Sequence, residues 1–333
     1  MKSLDEKLAR IRSGAWTPVD FVIADAKDGE MGFGATAPGP VRGPDGTPGT
    51  ALLPKAAYLE AMRAMTRSGL VDIMLTSASA AETLAGEGLF DGSPVTLAAR
   101  LNDTTDIWNM RGAIYTSLPS RPFRSARVDR VRSVADLGLY SVTFSNDLDR
   151  DLASLEAYAA FRDEASAAGM RHFLEVFNPA FDVGLPADGL PAYVNDCIVR
   201  ALAGVVAIDR PLFLKIPYNG AAAMEELAAF DPGNLIVGIL GGARGTTRDT
   251  FELIAQAARH GARVALFGRK INFAESPLEL VRLMRAVVEH QVTPIEAVRA
   301  YHDELMRHHL RPDRDIVSDL VVTDPNLTAE ALP

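Results

Sequence analysis

The sequence predicts one large α/β domain built as a closed (β/α)8 barrel, the TIM-barrel fold. Eight short apolar or β-branched runs alternate with longer helical patterns, which is typical of repeated βα units around a parallel sheet. A single barrel with insertions commonly reaches 333 residues, so two domains are not required. An open doubly wound sheet is the alternative, but no dinucleotide-binding glycine pattern follows a strand. The closed barrel is therefore favoured.

The first element is a helix that leads into the barrel. Leu4, Leu8 and Ile11 recur at helical spacing with charged residues between them, and the Ser13-Gly14 pair ends the pattern. We divide the chain into this N-terminal lead at 1–18, the barrel domain at 19–310 and a C-terminal extension at 311–333.

The barrel elements follow in alternation. The eight predicted strands are 20–26, 71–76, 95–100, 140–145, 172–177, 211–217, 235–240 and 263–267. Apolar residues at three-to-four spacing between the later strands predict helices at 152–168, 192–207, 247–260 and 277–290.

Two connections are too long to be ordinary loops, and barrels build their active sites from the loops that follow strands. The connection at 27–54 is rich in glycine and proline, so it is either a lid or a flexible surface loop. The connection at 101–139 is rich in arginine and meets phosphate, a neighbouring subunit or, as the simplest interpretation, only solvent. Its arginines are Arg111, Arg121, Arg124, Arg127, Arg130 and Arg132.

Composition excludes several classes of protein. The 34 basic and 43 acidic residues give a net charge of −9, which disfavours binding to nucleic acid or to an anionic membrane. Cys197 is the only cysteine, so an internal disulfide is impossible and a cytoplasmic location is expected. Neither a signal peptide nor a run of the ~20 apolar residues needed to span a membrane is present. The expected partners are small molecules or other proteins.

Metal and cofactor chemistry is also disfavoured. The six histidines show no metal-ligand spacing near the predicted strand ends. A nucleophile elbow, a Walker phosphate loop and a dinucleotide fingerprint are all missing from the sequence. We therefore predict no metal and no cofactor.

Lys215 is the one lysine among six that stands inside a continuous apolar strand, in Pro-Leu-Phe-Leu-Lys-Ile-Pro-Tyr. It lies near the C-terminal end of the sixth strand, where barrel enzymes place catalytic side chains. Because burial of an unpaired ammonium is unfavourable, the amine either pairs with a carboxylate or becomes neutral. A neutral buried amine can form an imine with a carbonyl and so withdraw electrons during carbon–carbon cleavage. A charge-paired structural lysine is the alternative.

Strand periodicity then predicts which acids face Lys215, since alternate residues point to the same side. On this basis Glu175 of the fifth strand and Asp25 of the first join the lysine inside the barrel mouth. A retro-aldol step needs a base for the hydroxyl proton and an acid to protonate the product. Either acid alone is also explained as a structural ion-pair partner, but three such groups at strand ends favour a shared site.

The last two strands are followed by a pattern that suits phosphate. Gly241-Gly242 follows the seventh strand, with Arg244 in the same loop, and Gly268-Arg269 follows the eighth. Glycine lets backbone N–H groups approach an anion, and arginine adds charge-assisted hydrogen bonds. Barrels often form a phosphate site from these two loops, although glycine turns also serve geometry alone.

With these residues in place, the chain resembles the Schiff-base (class I) aldolases of the deoxyribose-phosphate/tagatose-bisphosphate aldolase superfamily, with the archaeal-type fructose-bisphosphate aldolases nearby. The similarity runs roughly from Val19 to Tyr301. Residues 213–218 (FLKIPY) resemble the family's imine-lysine strand, and 237–245 (VGILGGARG) together with 261–271 resemble its phosphate end.

This resemblance implies roles for the three reactive residues. Lys215 matches the Schiff-base lysine, Glu175 the strand-five acid of the tagatose-bisphosphate branch, and Asp25 the strand-one aspartate. Two departures bear on the substrate. Phe177 stands where archaeal-type enzymes carry a tyrosine, and the fourth strand lacks the lysine of the tagatose branch.

The sequence therefore predicts a class I aldolase, a lyase that cleaves or forms a carbon–carbon bond in a phosphorylated ketose or keto-sugar acid. A deoxy-keto-gluconate phosphate of inositol catabolism is one substrate that the resemblance suggests, and it also implies a homo-oligomer. Another Schiff-base enzyme, of transaldolase or dehydratase type, and a non-catalytic barrel that binds a sugar phosphate are the alternatives.

Overall fold

The computed structural model describes residues 1–43 and 46–331, and these form the closed barrel that the sequence predicts. Parallel neighbours follow the chain, and the first strand lies between the second and the eighth. The sixth and seventh strands close the ring, since Ile216 bridges Ile239 and the Leu214 N–H donates to the Ile236 carbonyl at 2.8 Å. The strands are β1 Val22–Lys27, β2 Ile73–Thr76, β3 Thr96–Arg100, β4 Leu137–Thr143, β5 Arg171–Phe177, β6 Leu214–Lys215, β7 Gly238–Leu240 and β8 Val264–Phe267.

Nine helices of eight or more residues occur in the described part of the chain. None of them is both long and apolar enough to cross a membrane. Capping fixes several starts: for example, Thr246 and Asp249 form a reciprocal capping box at the start of the seventh helix. The helices are α1 Ser3–Arg12, α2 Lys55–Ser68, α3 Ala78–Gly86, α4 Leu148–Ala168, α5 Leu190–Ala203, α6 Ala221–Phe230, α7 Thr247–Arg259, α8 Pro277–Val288 and α9 Pro294–Arg307.

Side chains alternate between two apolar cores. In β1, Val22, Ala24 and Ala26 point into the barrel, whereas Ile23 points outward to the helices. Helix α1 seals the N-terminal end of the barrel, where Leu4 and other apolar side chains of the helix join the inner core. A cavity lies at the opposite end, where the strands finish.

The sixth strand is shorter than predicted. Only Leu214 and Lys215 have strand geometry, although the apolar pattern covers 211–217. Pro211 and Pro217 lack the N–H group that regular pairing needs. The chain between them still pairs with both neighbours, because the Leu212 N–H donates to the His172 carbonyl of β5 at 2.8 Å.

The glycine- and proline-rich connection at 27–54 lies over the C-terminal end of the barrel. It contains a short helix at Glu30–Phe33 and a hairpin that pairs Pro40–Arg42 with Pro48–Leu52. The Asn272 side chain donates to the Ala37 carbonyl at 3.1 Å and so ties the connection to the end of β8. Residues 44–45 lie outside the described part of the chain. Lid movement of this connection stays a prediction.

The arginine-rich connection between β3 and β4 forms a small antiparallel pair of Asp103–Thr104 with Pro122–Phe123. Trp108 packs edge-on against Phe123, with ring centroids 4.8 Å apart. Strand β4 begins at Leu137, three residues earlier than predicted. All six predicted arginines of this connection are exposed: Arg111, Arg121, Arg124, Arg127, Arg130 and Arg132.

The C-terminal extension packs against helix α7 rather than trailing into solvent. Asp249 accepts hydrogen bonds from the backbone N–H of Thr323 at 2.7 Å and of Asp324 at 3.1 Å. Asp319 accepts from the Thr247 N–H at 2.8 Å, and also contacts His302 of α9 at 2.9 Å. The extension is thus part of the folded barrel.

Candidate active site

The centre of the site is a buried lysine–carboxylate pair on neighbouring strands. Lys215 lies opposite Glu175 in the register of β6 and β5, and its Nζ is 2.7 Å from Glu175 Oε1. Both side chains point into the barrel, on the same face as Phe213 and Phe173. Lys215 is 5% exposed and Glu175 is 1% exposed. The amine therefore meets a proton acceptor in a place from which bulk water is excluded.

Glu175 is held by further donors on its second oxygen. Ser141 of β4 donates its hydroxyl to Oε2 at 2.7 Å, and Arg100 of β3 donates at 3.0 Å. Arg100 also donates to Asp28, which follows β1, at 2.6 Å. Lys215, Glu175, Arg100 and Asp28 thus form a continuous chain of buried charges, which we call the inner network.

Burial and the charges of the inner network shift the pKa values of two carboxyl groups, Asp28 of the network and its neighbour Asp103. Burial raises the pKa of Asp28, but the charges of Arg100 and Lys215 outweigh it, so the pKa ends below its ordinary value. Asp103 contacts Arg100 at 3.3 Å, and burial raises its pKa to about 6 despite that cation. Asp28 is therefore a carboxylate at neutral pH, whereas Asp103 titrates just below it.

The inner network faces a cavity of about 360 Å³ at the C-terminal ends of the strands. Arg100, Glu175, Lys215 and Asp28 contribute to one part of its wall. The 27–54 connection covers another part with Gly29, Phe33 and neighbouring residues. A cleft of this size, with few polar groups that converge on it, is typical of a small-molecule site.

The structure does not place Asp25 with Lys215. The first strand alternates as expected, but its inward set is Val22, Ala24 and Ala26, so Asp25 points outward to the helix layer. There its carboxylate pairs with Lys27, whose Nζ is 2.9 Å from Oδ2. The predicted position of Asp25 inside the barrel mouth is wrong, because the prediction assigned the wrong set of alternate β1 residues to the barrel interior. Asp28 occupies the place expected for Asp25.

Arg244 also lies away from the cavity. Its guanidinium pairs with Asp313 of the C-terminal extension and with Glu275, which it contacts at 3.1 Å. Asp313 in turn pairs with Arg42 of the hairpin at 2.6 Å. Arg244 thus joins the loop after β7 to two other segments, and its charge is already matched by carboxylates.

The other residues predicted for phosphate do line the cavity together: Gly241, Gly242, Gly268 and Arg269. Gly242 has a φ of +64°, which favours glycine. A Cβ atom at Gly268 would lie 2.7 Å from the Ala26 carbonyl oxygen, so no larger residue fits there. The Arg269 guanidinium lies 5.1 Å from the ring centre of Phe33, which holds it at the cavity wall.

Sequence reasoning missed Asp28, Arg100 and Ser141. Two of them carry a signal that could have found them. Arg100 is a charged residue in an apolar predicted strand, as Lys215 is, and Asp28 follows the first strand in an Asp-Gly pair. Ser141 carries no such signal, because a serine inside a strand is common. Among the described residues, no group of three or more histidine, cysteine or acidic side chains is placed to hold a metal ion.

Comparison with known proteins gives matches at the level of structure alone. Neither a protein-family model nor a curated protein matches the sequence. An archaeal fructose 1,6-bisphosphate aldolase superimposes with a TM-score of 0.61 at 18% identity, over 86% of this chain and 99% of that one. A second archaeal fructose-1,6-bisphosphate aldolase structure, with its catalytic lysine bound to a carbinolamine intermediate, gives 0.61 at 20% identity over the same shares.

A structural-genomics target from Corynebacterium glutamicum gives a TM-score of 0.54 at 21% identity, over 87% of this chain and 98% of that one. Together with the closed ring of strands, these matches establish the architecture. The chain has the (β/α)8 barrel fold found in the archaeal fructose-bisphosphate aldolases.

Proposed function

We propose that this protein is a class I aldolase that works through a Schiff base on Lys215. One observation carries the proposal: a buried lysine lies 2.7 Å from a buried carboxylate in the wall of a cavity at the C-terminal ends of the barrel strands. Barrel enzymes place their catalytic residues at this end. A lysine amine attacks a carbonyl in its neutral form, and an adjacent base produces that form by removing a proton. The fold shared with archaeal aldolases is consistent with this chemistry.

The first steps use the Lys215–Glu175 pair. Glu175 Oε1 takes a proton from Nζ, and the free amine forms a bond to the carbonyl carbon of a ketose. The carbonyl oxygen becomes a hydroxyl, Glu175 returns its proton to that hydroxyl, and the loss of water leaves a protonated imine. Arg100 and Ser141 hold Oε2 of the same carboxylate, so Glu175 keeps its orientation as its charge changes.

Carbon–carbon cleavage then needs a base for the substrate hydroxyl. Asp28, the fourth member of the inner network, is suited to this, because it is ionised and lines the cavity. The hydroxyl proton moves to the carboxylate, an aldehyde leaves, and the bonding electrons pass to the nitrogen of the protonated imine to give a neutral enamine. Protonation of the enamine and hydrolysis release the second product and restore Lys215. We propose this role for Asp28 in place of Asp25.

The phosphate of the substrate is proposed to bind Gly241, Gly242, Gly268 and Arg269, which line the same cavity. Arg244 has no part in this proposal, since its charge is matched by Asp313 and Glu275. Self-association and a cytoplasmic location stay predictions from the sequence.

Borohydride trapping tests the proposal. Reduction in the presence of dihydroxyacetone phosphate should give a stable adduct on the peptide that contains Lys215, which peptide mass spectrometry locates. The Lys215→Met variant is the control and should give no adduct. If neither dihydroxyacetone phosphate nor pyruvate nor acetaldehyde leaves an adduct on this peptide, the aldolase proposal is wrong.

A further inference from the structure

The charges that line the cavity are unevenly distributed. Three cationic side chains contribute to its wall, and two of them are already paired: Lys215 with Glu175, and Arg100 with Asp28, Asp103 and Glu175. Arg269 is the remaining one. Within the described residues it forms no ion pair, and its guanidinium lies over the Phe33 ring at 5.1 Å.

The wall contributed by the connection after β3 and the loop after β5 offers nothing comparable. It presents Ile107, Asn109, Thr116, Phe177 and Ala180, all uncharged. Among the described residues, the ionisable side chain on this side is the buried carboxyl of Asp106, and burial raises its pKa. The cation nearest to this wall is Arg100, which lies 5.9 Å from the Phe177 ring centre and is already paired with Asp28, Asp103 and Glu175. A second anionic group of a ligand would therefore find no unpaired cation among the described residues of this wall.

The arginines that might have supplied a second anion site are elsewhere. All six in the 101–139 connection are exposed, and none of them lines the cavity. Arg42 and Arg244 belong to segments that contribute other residues to the cavity wall, but both arginines pair with Asp313. Removal of a phosphate dianion from water without a matching cation is strongly unfavourable.

We infer that the cavity accepts a substrate with one phosphate, held at the Arg269 side, whose opposite end is uncharged and carries hydroxyl groups. This inference rests on the proposed function and narrows its substrate class to the monophosphates of ketoses. It excludes sugar bisphosphates, and it disfavours a phosphorylated sugar acid, whose carboxylate would face the uncharged wall. Asn109 and Thr116 are suited to hydroxyl groups, because an amide and a hydroxyl both donate and accept hydrogen bonds.

Binding to the Lys215→Met protein tests the inference without turnover. Calorimetry should show that fructose 1-phosphate or fructose 6-phosphate binds at least 10-fold more tightly than fructose 1,6-bisphosphate. Arg269→Gln in the same background should weaken monophosphate binding at least 10-fold. Arg121→Gln makes the same change of charge on the exposed part of the 101–139 connection and should leave binding unchanged.

Each result has one meaning. Equal or tighter binding of the bisphosphate than of both monophosphates would overturn the inference, as would monophosphate binding that Arg269→Gln leaves unchanged. Failure of the proposed function is a separate result, because it is measured by the borohydride adduct on Lys215. An adduct together with strong bisphosphate binding would leave the aldolase standing and reject the single-phosphate cavity.

Discussion

Two buried lysine–carboxylate pairs occur on the barrel strands, and they differ in what surrounds them. Lys27 and Asp25 lie on β1 and face the helices, with 2.9 Å between Nζ and Oδ2. Lys215 and Glu175 lie on β6 and β5 and face the barrel interior, with 2.7 Å between Nζ and Oε1. Burial and distance are nearly the same in the two pairs, so neither quantity separates structure from chemistry.

The partners beyond each pair make the difference. Among the described residues, Lys27 is the only hydrogen-bond donor recorded for the Asp25 carboxylate, and the pair does not line the cavity. Glu175 is also held by Arg100 and Ser141, and its pair opens onto the cavity. The outer pair is thus a closed structural contact, whereas the inner pair keeps its orientation when one partner reacts. Each pair faces the helices or the barrel interior according to which set of alternate strand residues it belongs to.

The largest expected effect comes from removal of each lysine. Lys215→Met should lower turnover roughly 10⁴-fold or more, since the nucleophile is lost, with little loss of stability because Arg100 still pairs with Glu175. Lys27→Met should lower the free energy of unfolding by about 3 kcal/mol, because Asp25 is left buried without its cation. Urea unfolding and turnover per folded molecule measure the two effects. A Lys27→Met protein that is stable but inactive would reverse the comparison.

The acids sharpen the same contrast with a smaller effect on rate. Glu175→Gln should slow formation of the trapped imine about 100-fold, since the amine loses its proton acceptor. Asp25→Asn is the matched control and should leave the rate unchanged in the folded protein. Stopped-time borohydride trapping gives both rates. Equal slowing in the two variants would contradict the role of Glu175 as the proton acceptor for Lys215.

The last expected effect leaves the chemistry untouched and concerns the pH dependence of stability. The pKa of Asp103 is raised from 3.8 to about 6, so the folded protein keeps a proton that the unfolded chain loses in this range. The corresponding stability is present at low pH and is lost as pH rises from 3.8 through about 6, which amounts to roughly 3 kcal/mol. Asp103→Asn cannot titrate, so its stability relative to the parent should increase between pH 4 and pH 8.

Urea unfolding at each pH measures this change. A constant difference between Asp103→Asn and the parent protein would show that Asp103 does not titrate in this window. Asp103 would then keep one protonation state between pH 4 and pH 8, contrary to its raised pKa.

Much of the fold was accessible from sequence because it depends on local patterns. Apolar runs and their alternation with helices predicted all eight strands and the closed barrel. Lys215 and Glu175 were found because a charged residue in an apolar strand is conspicuous, and the parity of β5 and β6 was chosen correctly. The predicted length of β6 was too great. An apolar pattern does not show how many of its residues form regular strand pairing when prolines flank them.

The rest depended on contacts between distant segments. Asp25 and Asp28 both stand at the end of β1, and only the packing of Ala24 and Ala26 against the inner core determines which of them faces Lys215. The outward direction of Arg244 follows from Asp313, a residue 69 positions away. Periodicity within one strand or loop contains no information about such partners.

The position of the C-terminal extension bears on the order in which the protein is completed. Asp313 joins Arg42 to Arg244, and Thr323 and Asp324 bind the first turn of α7 through Asp249. These residues are synthesised after every strand of the barrel. The loop after β7, which lines the cavity, therefore reaches its final contacts only once residues 313–324 have left the ribosome. A nascent barrel has its lysine before it has a finished place for the substrate.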